Sequence, residues 1–172
     1  RLELTTGMVS ISRAIGHITS EPLYAPISVP SFDNSAMDGF AFEAKTTADA
    51  SDTNPIHVSV SGASIAGDNA KTGYVPKGQA TKIMTGAPLP TGADTILPVE
   101  AASWDHKELI FDRPYPQHRH VRREGEDFEK SNILLASGTK IGPRHIPLLC
   151  AASLNQVPIY QKPKANWIST GQ

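Results

Sequence analysis

The polar and apolar positions of this chain change rhythm along its length. Near the start, Ile11, Ala14, Ile15 and Ile18 recur at the spacing of one face of a helix. Ser10 stands where an N-cap would, and Pro22 sets the end. Gly16 lies inside this stretch and costs a helix about 1 kcal/mol relative to Ala. His17 has no ligand-type partner at helical spacing and reads as a polar-face residue. From Pro26 to about Arg119 the period shortens. Ile56, Val58 and Val60 alternate with polar residues over Pro55 to Ser61, and Ala80 to Met84, Thr95 to Val99 and Glu108 to Asp112 read as further short strands. Turns fall at Gly67-Asp68-Asn69, Pro76-Lys77-Gly78 and Pro90-Thr91-Gly92. The polar segment Glu43 to Asn54 is the loop where disorder is expected most. Beyond Ser131, the stretches Ile133 to Leu135 and Thr139 to Ile141 around Ser137-Gly138 predict a hairpin. A short helix follows over Pro143 to Ser153, with Pro147 tolerable only in its first turn. Gln156 to Tyr160 predicts a strand, and Trp167 to Gly171 the start of another. The expected fold class is mainly β with a few short helices.

Composition narrows this further. The 14 Pro and 13 Gly of 172 residues leave little room for long helices. With 39% hydrophobic and 19% charged residues the chain is ordinary for a globular protein. A net charge of −1 argues against nucleic acid as a partner. No apolar run approaches the ~20 residues that span a bilayer, and no stretch looks like a signal peptide, so no membrane partner is expected and a cytoplasmic location is the default. The single cysteine, Cys150, sits in an apolar run and is expected to be a buried, inert thiol.

Candidate chemistry concentrates in three stretches. Val29 to Phe42 reads Val-Pro-Ser-Phe-Asp-Asn-Ser-Ala-Met-Asp-Gly-Phe-Ala-Phe. Pro30 pushes Val29 toward extended backbone, Asp33, Asn34 and Ser35 favour turns, and Asp38-Gly39 turns the chain into the probable strand Phe40-Ala41-Phe42. Asp33 and Asp38 therefore sit on one tight loop, either as turn chemistry or as working acids. The second stretch runs from Lys82 to Glu100 and contains Met84-Thr85-Gly86-Ala87-Pro88. A strand ending in Thr-Gly presents a hydroxyl and backbone N–H groups, a concavity for anionic oxygen or a plain β-turn. Asp94 reads as a turn residue and Glu100 as cleft-facing. The third stretch is His118-Arg119-His120-Val121-Arg122-Arg123, followed by Glu124-Gly125-Glu126-Asp127. On a strand, His-x-His would put two imidazoles on one face. The arginines offer bidentate forks for phosphate, or pair with the acids that follow.

Together these blocks resemble the N-terminal half of the molybdopterin molybdotransferases, the family of bacterial MoeA and the gephyrin E domain. The family shows P-x-F-D-N-S-A-M-D-G-[YF]-A, I-M-T-G-A-P-x-P-x-G-A-D and R-x-x-G-E-D in this order. The resemblance implies two intertwined β-rich domains, one of them discontinuous. Residues 1–24 and 132–161 would form an outer α+β domain, 25–131 an inserted β-rich domain, and 162–172 the start of an α/β molybdopterin-binding domain. It implies insertion of molybdate into adenylylated molybdopterin with Mg²⁺, releasing AMP, in a cleft shared between the subunits of a homodimer. Molybdopterin adenylyltransferase and molybdoenzyme apoproteins are the implied partners. Carried over by motif, Asp38, Thr85 and Asp127 are the catalytic candidates; Asp33, Ser35, Gly86 and Arg122 are the substrate-binding ones, and metal ligands are left unassigned.

The sequence departs from the family at several positions. Phe40 stands where Tyr is frequent, His120 where Asn is common, and Ser153 where a helix usually ends in Gly, a strained choice if φ is positive there. The last residues resemble S-T-G-D-E-L, with Gln172 at the first acid. The chain also starts without an initiator Met. The stretch is therefore expected to be a truncated piece that does not turn over alone. Two alternatives compete: a non-catalytic β-module for dimerisation or scaffolding, and a metal-dependent phosphohydrolase using Asp33, Asp38 and Asp127. The second lacks a general base and a three-ligand cluster.

Overall fold

Most of the alternating stretches do become strands. The structure is a computed structural model that describes residues 4–67, 73–105, 107–163 and 166–171. In chain order the strands are β1 (Thr6–Ser10), β2 (Ile18–Thr19), β3 (Leu23–Tyr24), β4 (Asn34–Ser35), β5 (Gly39–Phe42), β6 (Ile56–Ser64) and β7 (Gln79–Ile83). They continue with β8 (Thr95–Pro98), β9 (Ser103–Trp104), β10 (Glu108–Phe111), β11 (Val121–Arg122) and β12 (Ile133–Leu135); the helix α1 (His145–Ala151) and β13 (Gln156–Tyr160) close the series. Single 3₁₀ turns occupy Ile11–Arg13, Ala44–Thr47 and Val99–Ala101. The fold is thus mainly β with a few short helices. The chain divides into two units: Arg1–Val29 with Phe128–Gln172, and Pro30–Asp127.

In the first unit β13 is the central strand, antiparallel to β1 from Thr6↔Tyr160 to Ser10↔Gln156 and antiparallel to β2. Ile11, Leu23, Leu135, Ile141, Leu149 and Val157 form its core. The helix expected over Ile11 to Ile18 is absent. Ser10 ends β1 and caps nothing, the 3₁₀ turn stops at Arg13, and Gly16 turns the chain at φ 85°. Ile11 and Ala14 are buried, but Ile15 and Ile18 are exposed. Pairing of both flanking strands with the distant β13 overrides a local periodicity that is only two turns long. Nor do residues 133–141 form a hairpin: β12 pairs with β3, and Lys140 bridges Ile18. Pro147 does lie in the first turn of α1, and Ser153 does take the left-handed conformation, at φ 58°. Cys150 is exposed rather than buried, because neighbouring Leu149 takes the core-facing position. Among the described residues 166–171 there is no strand, and Trp167 and Ile168 are exposed.

The second unit is built on a six-stranded sheet ordered β8-β5-β7-β6-β10-β9. Strand β5 is buried along its whole length, and its alternation divides two clusters. Phe40 and Phe42 pack with Val58, Leu97, Leu109 and Phe111 on one face; Ala41 packs with Ile83, Ala87 and Ile96 on the other. Phe42 and Phe111 meet with ring centroids 4.7 Å apart. Strands β6 and β7 are parallel, with a register shift between Val60 and Ala63. Gly62, at φ 70°, makes that shift, so β6 runs on to Ser64 instead of ending at Ser61. Asp68 and Asn69, the predicted turn after Gly67, lie outside the described residues. The segment Glu43 to Asn54 is folded, against expectation. Ala44, Thr47 and Ala50 are buried, and Thr47 Oγ1 donates to Ala44 O (2.9 Å) and accepts from Tyr115 N (3.0 Å).

Candidate functional site

Two loops of the second unit are laced together by main-chain bonds. Ser35 N donates to Ala87 O (3.0 Å), Gly86 N to Ser35 O (2.8 Å), and Leu89 N to Asp33 O (2.9 Å). Ser35 is buried, and its hydroxyl closes a local turn by donating to Met37 O and accepting from Met37 N. Gly86 adopts φ 78°, which sends the chain from Thr85 back along the first loop. Gly39 cannot carry a side chain: a Cβ there would lie 2.1 Å from Leu97 O. That close approach seats β5 against β8, and Val99 N donates to Asp38 O (3.0 Å).

These constraints bring Asp38 and Thr85 into contact. Thr85 N and Thr85 Oγ1 both donate to Asp38 Oδ1, each at 2.7 Å. The Thr85 hydroxyl first, and its N–H second, hold the Asp38 carboxyl below the usual aspartate range. The Thr-Gly turn does bind an anionic oxygen as its chemistry suggests, but the oxygen belongs to Asp38. Among the described residues no donor reaches Asp38 Oδ2 and no cation pairs with it. An ionised carboxylate with one oxygen anchored and one open is suited to holding a cation.

Next to this contact lies a groove of about 250 Å³ lined by Asp38, Gly39, Phe40, Lys82, Ile83, Met84, Val99 and Trp104. Phe40 and Trp104 meet edge to face at 5.2 Å, and Lys82 Nζ lies 4.2 Å from the Trp104 ring centroid. The indole is half-buried against the core, and a cation–π contact near the surface is worth about 0.5–1 kcal/mol. Neither Lys82 nor Trp104 stands out in the sequence. Their signal is register: β5–β7 pairing sets Lys82 directly opposite Phe40.

The remaining candidates gather elsewhere in the unit, around the pairing of β4 with β11. Asp33 accepts from the Arg123 guanidinium and from Glu124 N (2.8 Å). Arg122 pairs with Asp127 at 2.8 Å and with Glu126 at 3.7 Å. Within the basic run Arg122 pairs with the acids that follow it, whereas Arg123 pairs with the distant Asp33. His118 and His120 lie in a turn at φ 64° and 57°, not on a strand face, and each ring accepts a hydrogen bond from an arginine, Arg123 and Arg119 respectively. Asp94 bridges two segments, accepting from Ala44 N (2.7 Å) and Gln117 Nε2 (2.9 Å), while Glu100 is exposed in the 3₁₀ turn after β8. Among the described residues no cluster of three or more His, Cys, Asp or Glu is set to hold a metal ion, and no helix is long and apolar enough to cross a membrane.

Comparison with known proteins fits this architecture. The sequence profile of the MoeA N-terminal region (domain I and II) matches residues 1–153. The chain belongs to the MoeA N-terminal family. Among its curated relatives, the molybdopterin molybdenumtransferase of Synechococcus elongatus is 34% identical over 171 residues, covering 99% of this chain and 42% of the relative. Molybdopterin molybdenumtransferase 2 of Mycobacterium tuberculosis is 36% identical over 163 residues, covering 95% of this chain and 40% of the relative. The crystal structure of the molybdopterin biosynthesis MoeA protein from Pyrococcus horikosii superposes with a TM-score of 0.86 at 33% identity, over 92% of this chain and 40% of that one. The chain therefore spans about two fifths of the length of the curated MoeA relatives it matches.

Proposed function

We propose that this chain is the N-terminal part of a molybdopterin molybdotransferase that inserts molybdate into adenylylated molybdopterin with Mg²⁺ and releases AMP, in cytoplasmic molybdenum cofactor biosynthesis. Molybdate and the adenylylated pterin are substrates, supplied by a molybdopterin adenylyltransferase; molybdoenzyme apoproteins receive the product. Turnover is assigned to the whole protein, as a homodimer with a cleft shared between subunits, and not to this stretch by itself. The observation that carries the reading is the Asp38–Thr85 contact, which joins two separate motifs at an ionised carboxylate with no cation beside it among the described residues.

Asp38 is the working acid. Thr85 fixes its rotamer and keeps it ionised, so the charge needs no proton removed before use. Mg²⁺ commonly takes one or two carboxylates plus substrate phosphate oxygens, and an open Asp38 Oδ2 fits that donor set. Bound there, the ion would neutralise phosphate charge. Ser35 and Gly86 serve through the main-chain bonds that pose Thr85. Asp33, Arg122 and Asp127 brace the adjoining strand pair, with Arg122 held by Asp127.

The test is molybdenum insertion by the full-length protein supplied with adenylylated molybdopterin, Mg²⁺ and molybdate. Asp38→Asn keeps the shape and removes the charge. Insertion should fall on the order of 100-fold with folding and oligomeric state unchanged. Wild-type insertion by Asp38→Asn would reduce the carboxylate to turn chemistry and favour the scaffold reading.

A further inference from the structure

The Asp38 groove carries a second charge, the ammonium of Lys82. Three elements place it. Register sets Lys82 of β7 across from Phe40 of β5, Trp104 of β9 packs edge to face on Phe40, and the Lys82 ammonium comes to rest over the indole. Among the described residues Lys82 has no carboxylate within ion-pair distance, whereas Arg122 and Arg123 are both paired with acids. An aromatic face attracts the charge but accepts little hydrogen bonding, so an ammonium with three N–H donors keeps donors free. Asp38 lines the same groove and among the described residues is likewise without an ionic partner, and the two do not pair with each other. Opposite charges left apart in one groove suit a ligand that carries both signs, such as a phosphate with its counter-cation. Met84 and Val99, 46% and 45% exposed, add apolar surface that a bound group would cover.

We propose that Lys82, held over Trp104, is the anion-contacting residue of the Asp38 groove and receives a phosphate of a phosphate ester whose adjoining group lies against Met84 and Val99. This rests on the function proposed above and adds to it the residue that recognises the substrate's phosphate.

Amine footprinting of the full-length protein reads the contact without turnover. Acetic anhydride labels lysines in the presence and absence of AMP, and peptides are quantified by mass spectrometry. With AMP at ten times its dissociation constant, acetylation of Lys82 should slow about tenfold, while exposed Lys45 and Lys107 are unaffected. Equal labelling of Lys82 with and without AMP overturns the proposal. So does equal protection by adenosine, which has the ring and no phosphate. In steady state, Lys82→Met keeps the aliphatic cover on Trp104 and should raise KM for adenylylated molybdopterin about tenfold, with the loss falling on KM rather than kcat, and Lys82→Arg should restore most of it. An unchanged KM in Lys82→Met also overturns it. The two readings fail separately. Sensitivity to Asp38→Asn without Lys82 protection keeps the function and drops this contact. Lys82 protection with insensitivity to Asp38→Asn does the reverse.

Discussion

Asp33 and Asp38 lie on one loop, and their surroundings differ in kind. Asp33 meets the Arg123 guanidinium and the Glu124 N–H, so its charge is cancelled where it stands. Among the described residues Asp38 meets only the neutral donors of Thr85, which stabilise the anion without cancelling it. The first arrangement ties two strands together and leaves little charge for a ligand. The second keeps the charge stabilised by neutral donors and leaves an electrostatic handle beside a groove. Sequence spacing cannot separate these two aspartates; what separates them is whether the partner is a cation.

The contrast breaks most severely at Gly39. A Cβ 2.1 Å from Leu97 O forces β5 off β8 and carries Asp38 with it, so Gly39→Ala should cost about 3 kcal/mol in denaturant unfolding. The Asp33–Arg123 pair is not touched by that change, and a Gly39→Ala protein as stable as wild type would show that the β5–β8 seam accommodates a side chain. The Asp38→Asn loss of insertion comes next, and its partner experiment sharpens it: Asp33→Asn should leave insertion within about threefold, since its charge is already spent. If Asp33→Asn were as damaging as Asp38→Asn, the division drawn here would fail.

A subtler effect is expected at Thr85. Thr85→Val removes the hydroxyl donor and spares the N–H, so the Asp38 carboxyl should titrate closer to the ordinary aspartate value of 3.8, followed by carboxyl-carbon NMR. The sign follows from linkage. With its native value depressed, Asp38 contributes stability that is fully present above the ordinary aspartate value and is lost as pH falls through the native one. Wild type should therefore outlast Thr85→Val at neutral pH, with the gap closing in acid; a gap that widens in acid would reverse the assignment. The smallest effect belongs to the half-exposed Asp33–Arg123 pair. A double-mutant cycle of Asp33→Asn and Arg123→Met should return about 0.5–1 kcal/mol, reduced by added salt.

Where the sequence could be read, local pattern and tertiary structure agree. Strands β7, β10 and β13 follow from apolar alternation between turn residues, β8 from a short apolar run between them, and Pro147 marks the first turn of α1. The reading fails where contacts distant in sequence decide. Ile11 and Ala14 keep a helix-like spacing in a segment captured by β13, and the polar stretch Glu43 to Asn54 folds because Thr47 is bonded by Tyr115 N, 68 positions away. His118 and His120 suggested a strand face, yet both take left-handed turn conformations. At the site, Asp38 and Thr85 are each legible as turn chemistry with spare hydrogen-bonding capacity. That Thr85 spends its donors on Asp38 is not legible, because the two are 47 positions apart. Lys82 and Trp104 give no local signal at all, since only the register of β5 with β7 and the packing of Trp104 on Phe40 create their contact.

The pairing of β1 with β13 also sets a clock. Thr5 and Gln161, whose side chains bond at the end of that ladder, are 156 positions apart. At roughly 5–20 residues per second of synthesis, the first strand waits on the order of ten to thirty seconds for its partner to leave the ribosome. Asp38 and Thr85, 47 positions apart inside the continuous segment Pro30–Asp127, wait only about two to nine seconds for each other. The loop carrying Asp38 and the turn carrying Thr85 are therefore complete and able to close on each other while the N-terminal strand is still a bare edge. During that interval the backbone donors and acceptors of the strand are unpaired, and Met8, 61% exposed even in the finished fold, adds apolar surface to the open edge.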